Sequence, residues 1–159
     1  MTPQEDLGIL DLFRATGAYL SGHFRLTSGL HSPEYLQCAL VLQHPRHAEH
    51  LGRLLAGRLL ELSGAPLDAV ASPALGGVVI GHEVARALGV RFIFTERDAQ
   101  GKMTLRRGFQ VTGGERIVVV EDVWNYATPT SWGGADGSLP SHTILRVGLL
   151  CDHRGMLIQ

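Results

Sequence analysis

The sequence predicts an α/β fold in which a mostly parallel sheet is flanked by helices, and three observations predict it. Ile117-Val118-Val119-Val120 is a continuous apolar run rich in β-branched residues, the pattern of a strand buried on both faces. Asp68-Ala69-Val70-Ala71 and Val90-Arg91-Phe92-Ile93-Phe94-Thr95 read as two further short strands. Between those two lies a helical pattern from about residue 78 to 88, which makes a right-handed parallel crossover.

With 159 residues the chain is expected to form one domain, large enough to bury a real core. A hydrophobic content of 45%, a charged content of 18% and a formal net charge of -1 describe a globular protein without the basic excess that phosphate-backbone binding needs, so nucleic acid is not an expected partner. No apolar run is long enough to cross a bilayer. The opening residues Thr2, Pro3, Gln4, Glu5 and Asp6 lack the parts of a signal peptide, so a cytoplasmic location without membrane attachment is the expectation. Cys38 and Cys151 lie far apart and read as small buried fillers, and the eight histidines show no metal-ligand spacing.

Taken in order, Thr2, Pro3 and Glu5 are the cap signals of a first helix over about residues 3 to 15, with Gly17 as its stop. From Ala18 to Tyr35 the chain is extended and punctuated by glycine. Its segment Thr27-Ser28-Gly29-Leu30-His31-Ser32-Pro33 offers amides and hydroxyls to an anionic or carbonyl-bearing ligand, or is an ordinary turn between strands. Pro45 opens a long helix whose stripe is Leu51, Leu54, Leu55, Leu59 and Leu62, ending at Ser63-Gly64. After the strand at 68–71, Ser72-Pro73-Ala74-Leu75-Gly76-Gly77 precedes the helix that Gly89 stops; paired glycines there let backbone N–H groups and a helix dipole meet a phosphate.

Beyond the strand at 90–95, Arg97, Lys102, Arg106 and Arg107 make a basic stretch that is either a loop closing over an anion or a hairpin, with 104–110 as one arm and Gly113-Gly114 as a turn. Glu121 and Asp122 follow the apolar run at the end where open α/β sheets collect ligands. Alternate side-chain directions let at least one carboxylate accept from hydroxyl groups or hold the water shell of Mg²⁺, or the two acids simply start a solvated loop. Residues 124–143 then lose all periodicity, and Ile144 to Cys151 recovers it as a last strand.

Gly22-His23-Phe24, the segment 27–33, Tyr35-Leu36-Gln37-Cys38, Ser72 to Gly77, Thr95-Glu96-Arg97, Lys102 to Phe109 and Val118 to Val123 together resemble a type I phosphoribosyltransferase, and within that group an orotate phosphoribosyltransferase. The resemblance implies the type I fold with a small N-terminal hood: helix and hood over 1–40, core over 41–123, an irregular segment over 124–143, and last strand and tail over 144–159. It implies transfer of ribose 5-phosphate from phosphoribosyl pyrophosphate (PRPP) to orotate, with Mg²⁺ as cofactor, through positioning and charge stabilisation. By resemblance Glu121 and Asp122 hold the ribose hydroxyls, Asp122 also the metal through water, and Ala74, Leu75, Gly76 and Gly77 cradle pyrophosphate. Thr27, Ser28 and Gly29 meet orotate, Arg154 reaches its carboxylate, and Arg97 and Lys102 neutralise the leaving pyrophosphate. In the family that basic loop serves the neighbouring subunit, which implies a homodimer.

Three positions depart from the family pattern. Thr27 stands where some members have lysine, and Asp98 where many have a second basic residue. After the acids, Val123-Trp124-Asn125-Tyr126-Ala127-Thr128 replaces a short Thr- and Gly-rich loop that binds the 5′-phosphate. The alternative reading is a protein that keeps the fold for ligand sensing or dimer contacts. Local divergence or a local change of reading frame accounts for the abrupt loss of pattern over 124–143. Resequencing the gene across those codons separates the two, and an unchanged reading removes the frame change.

Overall fold

A computed structural model of the chain describes residues 8–25 and 29–122 in full, and residues 144–152 and 155–158 by their backbone. The elements are α1 (Ile9–Ala15), β1 (Tyr19–Arg25), β2 (His31–Leu36), α2 (Cys38–Leu42), α3 (Pro45–Ser63), β3 (Ala69–Pro73), α4 (Gly77–Leu88), β4 (Arg91–Arg97), β5 (Met103–Leu105), β6 (Ile117–Glu121), β7 (Ile144–Asp152) and β8 (Gly155–Ile158). β1 and β2 form a separate antiparallel pair, and the others form one sheet in the order β5-β4-β3-β6-β7-β8. Within it β4, β3, β6 and β7 run parallel, while β5 and β8 are antiparallel edges. Four parallel strands bring their carboxyl ends to one side of the sheet.

The unbroken apolar runs follow from burial on both faces. Val70, Val118 and Val120 join the core shared with Leu51, Leu55, Leu59, Ile80 and Val84 of the two long helices. Ala69, Ala71, Ile117 and Val119 join Ile93 on the opposite face, where Leu105, Phe109 and Val111 pack against them. Period-2 alternation assigns successive residues to opposite faces, so a strand packed on both sides reads as an unbroken apolar run.

Helix boundaries follow their local chemistry. Pro45 occupies the first turn of α3, and Gly64 ends it in the left-handed conformation at φ 61°. Gly89 ends α4 in the same way at φ 70°. Gly17, at φ 68°, follows α1 and turns the chain so that the Ala18 N–H donates to the Phe13 carbonyl at 2.8 Å. The cap residues Thr2, Pro3 and Glu5 lie outside the described residues.

Three expectations are corrected. The buried face of α3 is Ala48, Leu51, Gly52, Leu55, Ala56 and Leu59, whereas Leu54 and Leu62 are 38% and 47% exposed. At about 100° per residue Leu54 points away from that arc, and Leu62 falls in the last turn of the helix. The short helix α2 went unread because five residues carry too little periodicity. The basic stretch is a hairpin, but its arms are β4 and β5 and its turn is 98–102; Gly113-Gly114 form a separate turn leading into β6.

Small residues bring α3 and α4 together: a Cβ on Gly52 would lie 2.6 Å from Glu83 Cβ and 2.9 Å from its carbonyl carbon. We predict that Gly52→Ala lowers stability by about 1–3 kcal/mol through overpacking. Gly57→Ala, one and a half turns on with nothing within 4 Å of its Cβ, should raise stability by about 0.5–1 kcal/mol through helix propensity. Urea denaturation of both variants checks the pair, and equal effects would contradict the packing account.

Candidate functional site

The carboxyl end of β3 runs into α4 through Ala74, Leu75 and Gly76, and the chain's geometry there is set by its neighbours. The Ala74 N–H donates to the Thr95 carbonyl at 2.8 Å, fastening the loop to β4, and the Val78 N–H donates to the Leu75 carbonyl at 3.1 Å. The Ala74–Leu75 peptide is cis. Leu75 is 85% exposed, so the loop is held by its backbone rather than by burying its side chain.

The acid pair meets this loop directly. A Cβ on Gly76 would lie 2.6 and 2.8 Å from the two carboxylate oxygens of Asp122, closer than atoms approach, so only glycine leaves room for that carboxylate. A Cβ on Gly77 would lie 3.1 Å from the Val120 carbonyl and 3.1 Å from Pro73 Cδ. The first turn of α4 therefore sits on the ends of β3 and β6. Asp122 stands beside a helix N-terminus, where the peptide dipoles favour negative charge. Its carbonyl accepts from Cys38 Sγ at 3.4 Å, which ties the start of α2, after the β1–β2 hairpin, to the end of β6.

Beneath the loop, Ser72 Oγ and Thr95 Oγ1 are buried and have no hydrogen-bond partner among the described residues. They belong to adjacent strand ends, since Pro73 pairs with Thr95 and Ser72 with Phe94.

Arg97 and Lys102 flank the tip of the β4–β5 hairpin. Arg97 lies two residues, about 7 Å of extended chain, beyond the Thr95 carbonyl that anchors Ala74. Its guanidinium donates to the Gly101 carbonyl at 2.8 Å. Asp98, a departure in the sequence, shapes the turn: its Oδ1 accepts from the Gln100 N–H at 2.9 Å and the Lys102 N–H at 2.8 Å. Arg107, read in the sequence as part of the basic stretch, makes a two-pronged ion pair with Glu96 at 2.8 and 2.9 Å and stands over the Phe94 ring. It does so from a left-handed backbone, φ 59°. The guanidinium's hydrogen bonds hold the Glu96 carboxyl below its ordinary range.

The structure thus brings Ala74, Leu75, Gly76, Gly77, Glu121 and Asp122 to one strand-end crevice and places Arg97 and Lys102 on one hairpin. Gly29, exposed at φ 82°, lies in the β1–β2 connection. Thr27, Ser28 and Arg154 lie outside the described residues. Sequence reasoning missed the Asp98 cap and the Glu96–Arg107 pair; an Asp followed five residues later by a hairpin strand is a turn signal that was legible. No group of three or more His, Cys, Asp or Glu suited to a metal occurs among the described residues, nor does a helix long and apolar enough to cross a membrane.

A parallel sheet with an acid pair and a glycine loop at its carboxyl edge defines a type I phosphoribosyltransferase fold. The crystal structure of orotate phosphoribosyltransferase from Aeropyrum pernix superposes with a TM-score of 0.54 at 28% identity, covering 73% of this chain and 65% of that one. Orotate phosphoribosyltransferases of Pelotomaculum thermopropionicum and Heliobacterium modesticaldum are each 58% identical over 115 residues, 72% of this chain. The chain belongs to the orotate phosphoribosyltransferase family. It spans 58% and 59% of the length of those two curated relatives. No family model matches it.

Because Glu96 is depressed in the folded state, its pairing with Arg107 supports the fold above the ordinary value of 4.5 and is lost as pH falls through the lower folded value. Arg107→Met should return the Glu96 midpoint upward in a carboxyl NMR titration. An unchanged midpoint would mean that the pair does not persist in solution.

Proposed function

We propose that the protein transfers ribose 5-phosphate from PRPP to orotate, releasing pyrophosphate. The observation that supports this most directly is the Asp122 carboxylate lying against Gly76, which joins a hydroxyl-binding acid to an amide-lined loop at a helix start.

In this reading Glu121 and Asp122 accept from the ribose hydroxyls and hold the sugar as positive charge grows at its anomeric carbon. Ala74, Leu75, Gly76 and Gly77 receive pyrophosphate oxygens on backbone N–H groups. Arg97 and Lys102 balance the charge of the departing pyrophosphate, and the Asp98-capped turn fixes their spacing. Thr27, Ser28 and Gly29 meet orotate, with Arg154 at its carboxylate. Mg²⁺ fits this donor set, since a hard cation that keeps waters and substrate oxygens needs only one or two protein carboxylates. When bound it supplies charge neutralisation on pyrophosphate, and Asp122 holds it through water. A homodimer sharing the basic hairpin, in the cytoplasm, completes the proposal.

The sequence Val123-Trp124-Asn125-Tyr126, which lacks the glycines of a phosphate nest, favours a second reading as a ligand-binding protein without turnover. The assay that decides is orotidine 5′-phosphate formation from orotate, PRPP and Mg²⁺. Steady product release supports the enzyme, whereas PRPP binding without product supports the second reading. Asp122→Asn should raise the KM for PRPP about five- to thirtyfold, because a charged acceptor exceeds a neutral one by about 1–2 kcal/mol. An unchanged KM would remove Asp122 from the site.

A further inference from the structure

The β4–β5 hairpin carries one carboxylate whose charge opposes the work proposed for its neighbours. Two acids stand in this basic stretch, Glu96 and Asp98. Glu96 is matched by the Arg107 guanidinium through two hydrogen bonds at 2.8 and 2.9 Å. Asp98 is not matched in that way. Its Oδ1 accepts from backbone N–H groups, of Gln100 at 2.9 Å and of Lys102 at 2.8 Å, so the negative charge stands beside the two residues proposed to balance pyrophosphate.

That carboxylate closes the turn. The Asp98 N–H donates to the Lys102 carbonyl at 2.8 Å, and the Gly101 N–H donates to the Asp98 carbonyl at 3.0 Å. Gly101 is left-handed at φ 81°, and its carbonyl accepts from the Arg97 guanidinium at 2.8 Å. Arg97, Gln100, Gly101 and Lys102 are exposed, so no core contact holds this backbone in place. An aspartate that accepts from N–H groups a few residues on supplies locally what packing does not. Without the acceptor those two N–H groups turn to water, and nothing else fixes Lys102 against Arg97 across the turn.

We propose that Asp98 is a positioning residue for the transfer: its Oδ1 sets the placement of Lys102 against Arg97, while its charge weakens their hold on the phosphates of PRPP. This rests on the PRPP reading and deepens it, whichever subunit's crevice the hairpin serves. The two effects of one carboxylate separate chemically. Asparagine keeps the acceptor oxygen and lacks the charge, alanine lacks both, and lysine adds a cation but has no acceptor.

The test is steady-state formation of orotidine 5′-phosphate by the whole chain from PRPP, orotate and Mg²⁺. Asp98→Ala and Asp98→Lys should each lower kcat about tenfold or more, because charge stabilisation in the transition state depends on placement. Asp98→Asn should keep kcat within about twofold and lower the KM for PRPP about two- to fivefold, a gain that added salt removes. Exchange of the Gln100 and Lys102 N–H groups with water, followed by NMR, should quicken in the Ala and Lys variants and stay native in the Asn variant. The melting temperature should be unchanged in all three. Native kcat in Asp98→Ala overturns the inference alone. So does an Asp98→Asn variant that falls as far as Asp98→Ala, or a gain in all three variants, which would leave charge as the whole effect. A native protein that forms no product overturns the transfer reading and this inference with it.

Discussion

The structure turns on the approach of the Asp122 carboxylate to Gly76, which no side chain at position 76 would permit. Asp122 reaches that point because β6 is clamped between two apolar faces and cannot slip by one residue without moving Val118 and Val120 out of one core and Val119 out of the other. The loop reaches it because α4 starts directly on the strand ends at Gly77 and because Gly81 lets the helix lie against Ser72. Gly52 then lets α3 lie against α4 at Glu83. Each glycine removes a side chain that would hold the layers apart, so the strand-end loop inherits its geometry from core packing.

Electrostatics around the crevice is arranged by subtraction. Of the cations between 97 and 107, Arg107 is committed to Glu96 and braces the hairpin base against Phe94. Arg97 and Lys102 remain at the tip, held by a turn that Asp98 caps through two backbone N–H groups. An acid in a basic segment thus gives up charge for shape. A tight five-residue turn fixes the backbone that carries Arg97 and Lys102.

Much of this was legible in the sequence, for physical reasons that differ by element. Strands β3, β4 and β6 declare themselves because burial on both faces demands unbroken apolar runs, and Pro45, Gly64 and Gly89 declare helix ends because their backbone preferences are local. The acid pair and the glycine loop were legible as types, but their contact was not, since it depends on two segments more than forty residues apart in the chain. The hairpin's turn was misplaced because Gly113-Gly114 is the stronger glycine signal, while the actual turn relies on an aspartate side chain. The exposure of Leu54 was misread by counting leucines rather than the arc they occupy.

The central claim is that the Asp122 and Gly76 contact shapes a phosphoribosyl site. Calorimetric titration with PRPP and Mg²⁺, comparing the native chain with Gly76→Ala, tests it most directly. The account predicts clear binding to the native protein and an affinity at least tenfold lower in the variant, whose Cβ displaces the carboxylate. Equal affinity in the two proteins, or none in the native one, would contradict it.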